Sequence, residues 1–227
     1  MATRNTGNTT PVAPSEWTNR IALAVICLAS LGLITTTNRA WYFVASHFFP
    51  SAAGLSETCI VSGIVCLVIY FSIEPARPFG LPRPETNWSR IFRVSAIWLA
   101  VWLSASAAAA IHAGHWIAYT TGAAAISGFV IFGPIQEELL FRGAIFELAE
   151  RVFSRGRAFT PILISSVFFS LHHFELHRYQ VTEAALRQVA FTFPMGLVFG
   201  ILRAESDSLW PGLILHFLTN LPGCFGR

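Results

Sequence analysis

Ile117–Phe132 (IAYTTGAAAISGFVIF) and Glu138–Phe153 (ELLFRGAIFELAERVF) decide how this chain is folded. Across their junction runs Gln136-Glu137-Glu138-Leu139-Leu140-Phe141-Arg142-Gly143, two carboxylates and a guanidinium set among long apolar runs. Charge in such surroundings is costly, so it has either a partner or a task. On a helix Glu138 and Arg142 are four apart and share a face, close enough to pair. Glu137 lies about 100° round the helix from Glu138, so Arg142 does not serve both equally. One carboxylate is expected to be structural and the other available for chemistry.

The rest of the sequence is equally apolar. Of 227 residues 54% are hydrophobic and only 12% charged, with a mean hydropathy of +0.56. A soluble domain carries about 25% charged residues, so the chain reads as an all-α polytopic membrane protein. Its basic residues are all Arg, scattered, with a net charge of +3, which argues against nucleic acid as a partner. Cys27, Cys59, Cys66 and Cys224 form no CxxC or metal spacing. Residues 1–18 are read as a disordered tail and 19–227 as a single polytopic membrane domain. Ile21–Ile34 is read as part of a retained first span rather than a signal peptide.

Spans need roughly 17–25 apolar residues. Candidates are Ile21–Thr37, Leu55–Ile73, Ile91–Ile111, Ile117–Phe132, Glu138–Phe153, Pro161–Leu171, Val189–Leu202 and Leu209–Leu221. The last four are short or carry charge, which suits helices that enclose a polar cavity. If Ile117–Phe132 and Glu138–Phe153 are separate crossings, Glu137 opens the second. His172 and His173 then close the next span on the same side, and His216 and Asn220 fall late in the last span on that side again. With that side taken as the inside, Arg39, Arg151, Arg155, Arg157 and Arg203 are outside and the other ten of the fifteen Arg are inside. That bias favours a cytoplasm-facing site under the positive-inside rule. A single long helix through both segments would remove this argument.

Three clusters can carry chemistry. In the first, Glu138 and Arg142 read as a buried ion pair. Glu137, its nearest cation engaged, is the candidate general base, a carboxylate beside another in a low-dielectric cavity. The second is Phe169-Ser170-Leu171-His172-His173-Phe174, followed by His177. Adjacent histidines on a helix point about 100° apart, so at most one faces Glu137 directly. The third is His216-Phe217-Leu218-Thr219-Asn220, whose His and Asn share one face. Such a pair can donate hydrogen bonds to a developing oxyanion, or simply bridge helices as polar glue. Together the clusters suggest a hydrolase whose activated water attacks an amide without a covalent intermediate. Serine chemistry is poorly supported, since GxSxG is absent and Ser165, Ser166 and Ser170 have no evident base. Zinc chemistry is the nearer alternative: HExxH is absent, but His172, His173, His177, His216 and Glu137 could supply three ligands and an open position.

These residues resemble the CPBP family of intramembrane proteases, the CAAX-processing and bacteriocin-processing enzymes that include the Ras-converting endopeptidases. Three ordered motifs carry the resemblance: EExxxR at Glu137, Glu138 and Arg142, FxxxH at Phe169 and His173, and HxxxN at His216 and Asn220. The resemblance covers about Gly122–Gly223, a catalytic core by that likeness. It implies a helical bundle of about eight spans around a polar cavity open to one side. It also implies that Glu137 and His173 activate the water, with His172 fitting the same motif through Phe168. His216 and Asn220 would form the oxyanion site, Glu138 and Arg142 would be the supporting pair, and no metal or other cofactor would be needed.

The function so implied is that of a metal-independent glutamic endopeptidase in the cell membrane. The named family activity removes the last three residues after a prenylated cysteine. Other members process or sort membrane-anchored C-terminal tails, or serve in bacteriocin self-immunity. The expected partners are therefore the bilayer and a membrane-anchored protein or peptide, lipidated or with a hydrophobic C-terminal tail. The competing readings are a non-catalytic immunity or scaffold protein of the same family, the zinc-dependent protease, and a transporter using Glu137 as a proton relay. The chain is short for a transporter and has no obvious internal duplication.

Overall fold

The computed structural model describes Ile21 and residues 80–114, 126–153, 159–174 and 180–224. The tail 1–18, the expected spans Ile21–Thr37 (beyond Ile21 itself) and Leu55–Ile73, and His177 lie outside the described residues. So do Cys27, Cys59 and Cys66. The described residues form five helices and no strand, as the all-α expectation requires. The count of about eight is not reached among them.

Helix α1 is Trp88–Ala113. The Asn87 side chain starts it by accepting from the Arg90 N–H at 3.0 Å, which satisfies one of the unpaired donors of the first turn. Gly114, with φ 74°, ends it by returning its N–H to the Ile111 carbonyl, a left-handed cap that a glycine adopts without strain. Trp88–His112 is long and apolar enough to cross a membrane. Ile91, Trp98 and Trp102 turn inward on one stripe, while Phe92, Ile97, Val101 and Leu103 are exposed. An apolar outer face of this kind suits lipid.

Helix α2 corrects the expectation of two crossings. Residues 126–153 form one continuous helix, built from a π turn at Gly128–Phe132, an α turn at Gly133–Glu137, a second π segment at Glu138–Ile145 and an α-helical end at Phe146–Phe153. Pro134 lacks an N–H, and in a regular α-helix its ring would press on the carbonyl four residues back. The π turn directly ahead, closed by the Gly133 N–H on the Gly128 carbonyl, widens the helix at that point and absorbs the proline. Glu137 therefore lies mid-helix rather than at the start of a span. The parity argument falls with it, and so does the inside–outside division of the arginines.

Helix α3 is Phe159–His172, continued by a short 3-10 turn. Helix α4 is Glu183–Ser206, capped by Thr182, whose Oγ1 accepts from the Ala185 N–H at 3.2 Å. It is the second described helix long and apolar enough to cross a membrane. Helix α5 is Trp210–Asn220, followed by a 3-10 turn at Leu221–Cys224.

Helices α3 and α4 are the closest pair, and they run antiparallel: Ile162 meets Gly200, Ser166 meets Gly196, and Ser170 Oγ donates to the Val189 carbonyl at 2.6 Å. Gly196 and Gly200 are four apart, the small-residue spacing that lets two apolar helices bring their backbones together. A Cβ at Gly196 would lie 3.0 Å from the Ser166 Cα, and one at Gly200 would lie 3.0 Å from the branched Cγ2 of buried Ile162. Gly→Ala in a helix gains up to about 1 kcal/mol of propensity, but overpacking against backbone costs about 1–3 kcal/mol. Both Gly196→Ala and Gly200→Ala are therefore expected to lower the thermal midpoint of the detergent-solubilised chain, Gly196→Ala the more because it meets backbone. Midpoints at or above that of the parent chain in both variants would contradict the close-packed register.

A charged clasp ties the α4–α5 turn to the segment before α1. Asp207, left-handed at φ 53°, accepts from Arg203 Nη1 at 2.6 Å and from Arg83 Nε at 2.8 Å. The Arg83 N–H also reaches the Ser206 carbonyl at 3.1 Å. Partial burial disfavours the charged carboxylate, but hydrogen bonds from Arg203 and Arg83 outweigh it and hold Asp207 below the usual carboxylate range. A depressed folded value stabilises the fold above the unfolded value of about 3.9. That contribution is lost as the pH falls through the folded value. Asp207→Asn is expected to lower the thermal midpoint near pH 7 and to flatten the acid limb of its pH profile. An acid limb identical to that of the parent chain would assign it to other groups.

Candidate active site

Helix α5 runs antiparallel along the first half of α2. Asn220 meets Phe129, His216 meets Glu137 and Glu138, and Gly212 meets Glu138. The core rings Phe141, Phe169 and Phe199 close the level from the α2, α3 and α4 sides. Residues from four helices thus converge at one level, although not by the route that parity supplied.

Glu138 and Arg142 are both buried, at 1% and 0% side-chain exposure, with Oε1 and Nη1 3.4 Å apart. The contact is ionic rather than an aligned hydrogen bond, since Arg142 Nε and Nη1 and Glu138 Oε2 have no hydrogen-bond partner among the described residues. Arg142 is held in other ways. Its Nη2 donates to the Gly196 carbonyl at 3.1 Å, and its guanidinium carbon lies 4.2 Å above the Phe169 ring and 5.2 Å from that of Phe199. A planar, weakly hydrated guanidinium between aromatic faces is a favourable way to bury this charge.

His216 stands between the two carboxylates. Nδ1 is 3.1 Å from Glu138 Oε1, and Nε2 is 3.5 Å from Glu137 Oε2. Each ring nitrogen thus faces a carboxylate oxygen, closely at Nδ1 and more loosely at Nε2. The His216 ring packs against Phe199 at 4.7 Å between centroids and meets Phe169 in a near-perpendicular contact at 5.9 Å. One turn earlier on α5, a Cβ at Gly212 would lie 3.1 Å from Glu138 Oε2. Glycine there is what lets α5 approach the carboxylate. Glu137 differs from its neighbour: its side chain is 20% exposed, and its ionic contact is the long one to His216.

His173 is buried at the end of α3, its Nδ1 2.8 Å from the Phe169 carbonyl. A carbonyl only accepts, so Nδ1 carries the proton and Nε2 keeps a lone pair. The Phe169 ring is shared, 4.9 Å from the His173 ring and also against that of His216. No direct ionic contact joins His173 to Glu137. His172 turns a different way, its ring 5.5 Å from Phe141. Asn220, half-buried, donates Nδ2 to the Phe129 carbonyl at 2.9 Å, which leaves a second Nδ2 proton. Among the described residues no three His, Cys, Asp or Glu side chains converge as metal ligands do, so the set proposed for zinc is not assembled there.

Four features escaped the sequence reading. The contact of Glu138 with His216 joins positions far apart in the chain and has no local signal. Gly212, four residues before His216, and the Gly196–Gly200 pair do have one: small residues at helical spacing beside polar positions. The fourth is Arg203, which sits in the last turn of α4 four residues before an Asp, a pairing readable by spacing.

Residues 120–222 match the family model described as "Type II CAAX prenyl endopeptidase Rce1-like". The CAAX-processing resemblance expected from the three motifs is borne out over that stretch. A Bacillus subtilis (strain 168) protein named "Putative membrane peptidase YdiL" is 31% identical over 90 residues, which cover 40% of this chain and 32% of that protein. The match thus spans about a third of the length of that curated relative. No solved structure matches the chain.

Proposed function

With an Rce1-like stretch at residues 120–222 as the premise, we propose that this chain is an intramembrane glutamic endopeptidase that hydrolyses a peptide bond of a membrane-anchored protein. The observation that carries this reading is the division of labour between adjacent carboxylates. Glu138 is sealed against Arg142 and His216, while Glu137 retains exposure and only a long contact. A general base must reach a water and release it, which suits Glu137 and not Glu138.

In this mechanism a water sits between Glu137 and the lone pair of His173 Nε2. Glu137 takes its proton as the oxygen attacks the scissile carbonyl, and passes that proton to the departing amine. The tetrahedral oxyanion draws hydrogen bonds from His216 Nε2–H and the remaining Nδ2–H of Asn220. At 3.5 Å the His216–Glu137 contact is longer than a charge-assisted hydrogen bond of about 2.7–2.9 Å, so the imidazole proton can transfer its allegiance to the oxyanion. Glu138 accepts from Nδ1 throughout and keeps the ring turned the right way. Arg142 neutralises Glu138, and His172 supports the wall beside His173. No step calls for a metal.

The proposed organisation is a single polytopic domain over residues 19–227 of about eight helices around a polar cavity, with 122–223 as catalytic core, in the cell membrane. Its substrate would be a C-terminal tail anchored by a lipid or by its own apolar residues. The non-catalytic reading draws on one observation, the bond from Asn220 to the Phe129 carbonyl, which is what interhelical glue would make. The two readings separate in proteoliposomes holding the purified chain with either a farnesylated CAAX peptide or a peptide of unmodified apolar tail. Cleavage of either supports the enzyme and selects its substrate class, whereas both left intact beside an active positive-control protease favours the scaffold.

A further inference from the structure

Arg203 makes three contacts from a nearly dry position. Its Nε donates to the main-chain carbonyl of Arg142 at 3.2 Å, its Nη1 to Asp207 at 2.6 Å and its Nη2 to Glu147 at 3.3 Å. The guanidinium lies 5.4 Å from the Phe146 ring, and the residue is buried. The carboxylates alone would neutralise the charge. The bond to the Arg142 carbonyl does something different, because Arg142 belongs to the π segment Glu138–Ile145. A π segment departs from regular i→i−4 pairing and is frequent at functional sites, and a side chain donating into it from another helix helps fix its geometry.

The consequences run in two directions. Holding the Arg142 backbone fixes the guanidinium that faces Glu138, and Glu138 in turn holds His216. Holding Asp207, which Arg83 grips from the other side, fixes the turn from which α5 departs toward Gly212 and His216. One guanidinium therefore sets both the α2 and the α5 sides of the Glu138–His216 contact. We infer that Arg203 is a positioning residue for the Glu137–Glu138–His216 cluster, acting through the Arg142 carbonyl. The inference rests on the reading of that cluster as the reaction centre. Lysine cannot replace it, since a single ammonium on a flexible stem does not reproduce a planar fork with separate donors for three acceptors.

The test uses the full chain in detergent micelles, labelled with 15N-histidine, with the His216 ring signals assigned by their loss in His216→Gln. Arg203→Gln, Arg203→Lys and, as comparison, Arg83→Gln are examined for thermal midpoint, His216 ring resonances and cleavage of a farnesylated CAAX peptide. Arg83→Gln removes a contact to Asp207 but leaves the bond to the Arg142 carbonyl. The expected result is a displaced His216 resonance in both Arg203 variants and a much smaller displacement in Arg83→Gln, which loosens only the Asp207 side. Turnover in the Arg203 variants should fall on the order of a hundredfold, the effect of misplacing a reacting group by about 1 Å, with KM little changed. Arg203→Lys keeps a positive charge beside Asp207 and Glu147 and supplies folded protein should Arg203→Gln fail to fold. An unmoved His216 resonance in folded Arg203→Lys overturns the positioning role. If no form of the chain cleaves either this peptide or the unmodified apolar-tail peptide while the resonance still moves, the catalytic reading fails and the structural coupling stands.

Discussion

Glu137→Gln is expected to abolish cleavage while leaving the chain folded. A positioned general base contributes about 10²–10⁴ in rate, and glutamine keeps the shape of the side chain without its capacity to take a proton. The cost to the fold should be small. Glu137 is partly exposed and its ionic contact to His216 is 3.5 Å long, so little is left uncompensated when its charge goes. The variant should therefore elute and melt like the parent chain and show at least a hundredfold lower turnover on any peptide the parent cleaves. A drop in turnover that tracks a drop in folded yield would assign Glu137 to the scaffold instead.

Glu138→Gln is expected to do the opposite. It leaves the Arg142 guanidinium buried with no carboxylate beside it, and breaking one side of a buried pair costs about 3–5 kcal/mol. Whole-chain stabilities are typically about 5–15 kcal/mol, so the loss should appear first as reduced folded yield. The amide oxygen can still accept from His216 Nδ1, and molecules that do fold should keep most of their specific activity. The double variant Glu138→Leu with Arg142→Met separates the two roles. Removing both charges should recover much of the folded yield but not the turnover, because the imidazole has lost the acceptor that orients it. Full activity in the double variant would mean that Glu138 serves only Arg142. Specific activity falling more than yield in Glu138→Gln would exchange the roles of the two acids.

What the sequence made legible was local. Helical spacing paired Glu138 with Arg142, and the two side chains meet in the fold. Apolar length found α1 and α4, the two described helices long and apolar enough to cross a membrane. What it hid was long-range or depended on unusual backbone. Gly133-Pro134 sits inside a continuous helix because a π turn makes room for the proline, and residue types alone do not signal a π turn. The three polar clusters share a level because α5 runs antiparallel to α2, not because successive spans alternate sides. Spacing gave Glu138 one partner, but it has two, and the second, His216, sits on another helix. The same holds for Arg203, whose pairing with Asp207 is local while its bond to the Arg142 carbonyl is not.

The most direct test of the central claim, hydrolysis by water activated at Glu137, is cleavage in excess chelator, by the purified chain and by Glu137→Gln, of a farnesylated CAAX peptide and of an unmodified apolar-tail peptide, scored on whichever the parent accepts. The parent chain should release the C-terminal fragment at the same rate with and without chelator, and Glu137→Gln should release none. Cleavage that chelator stops and zinc restores, or equal cleavage by the two forms, would contradict it.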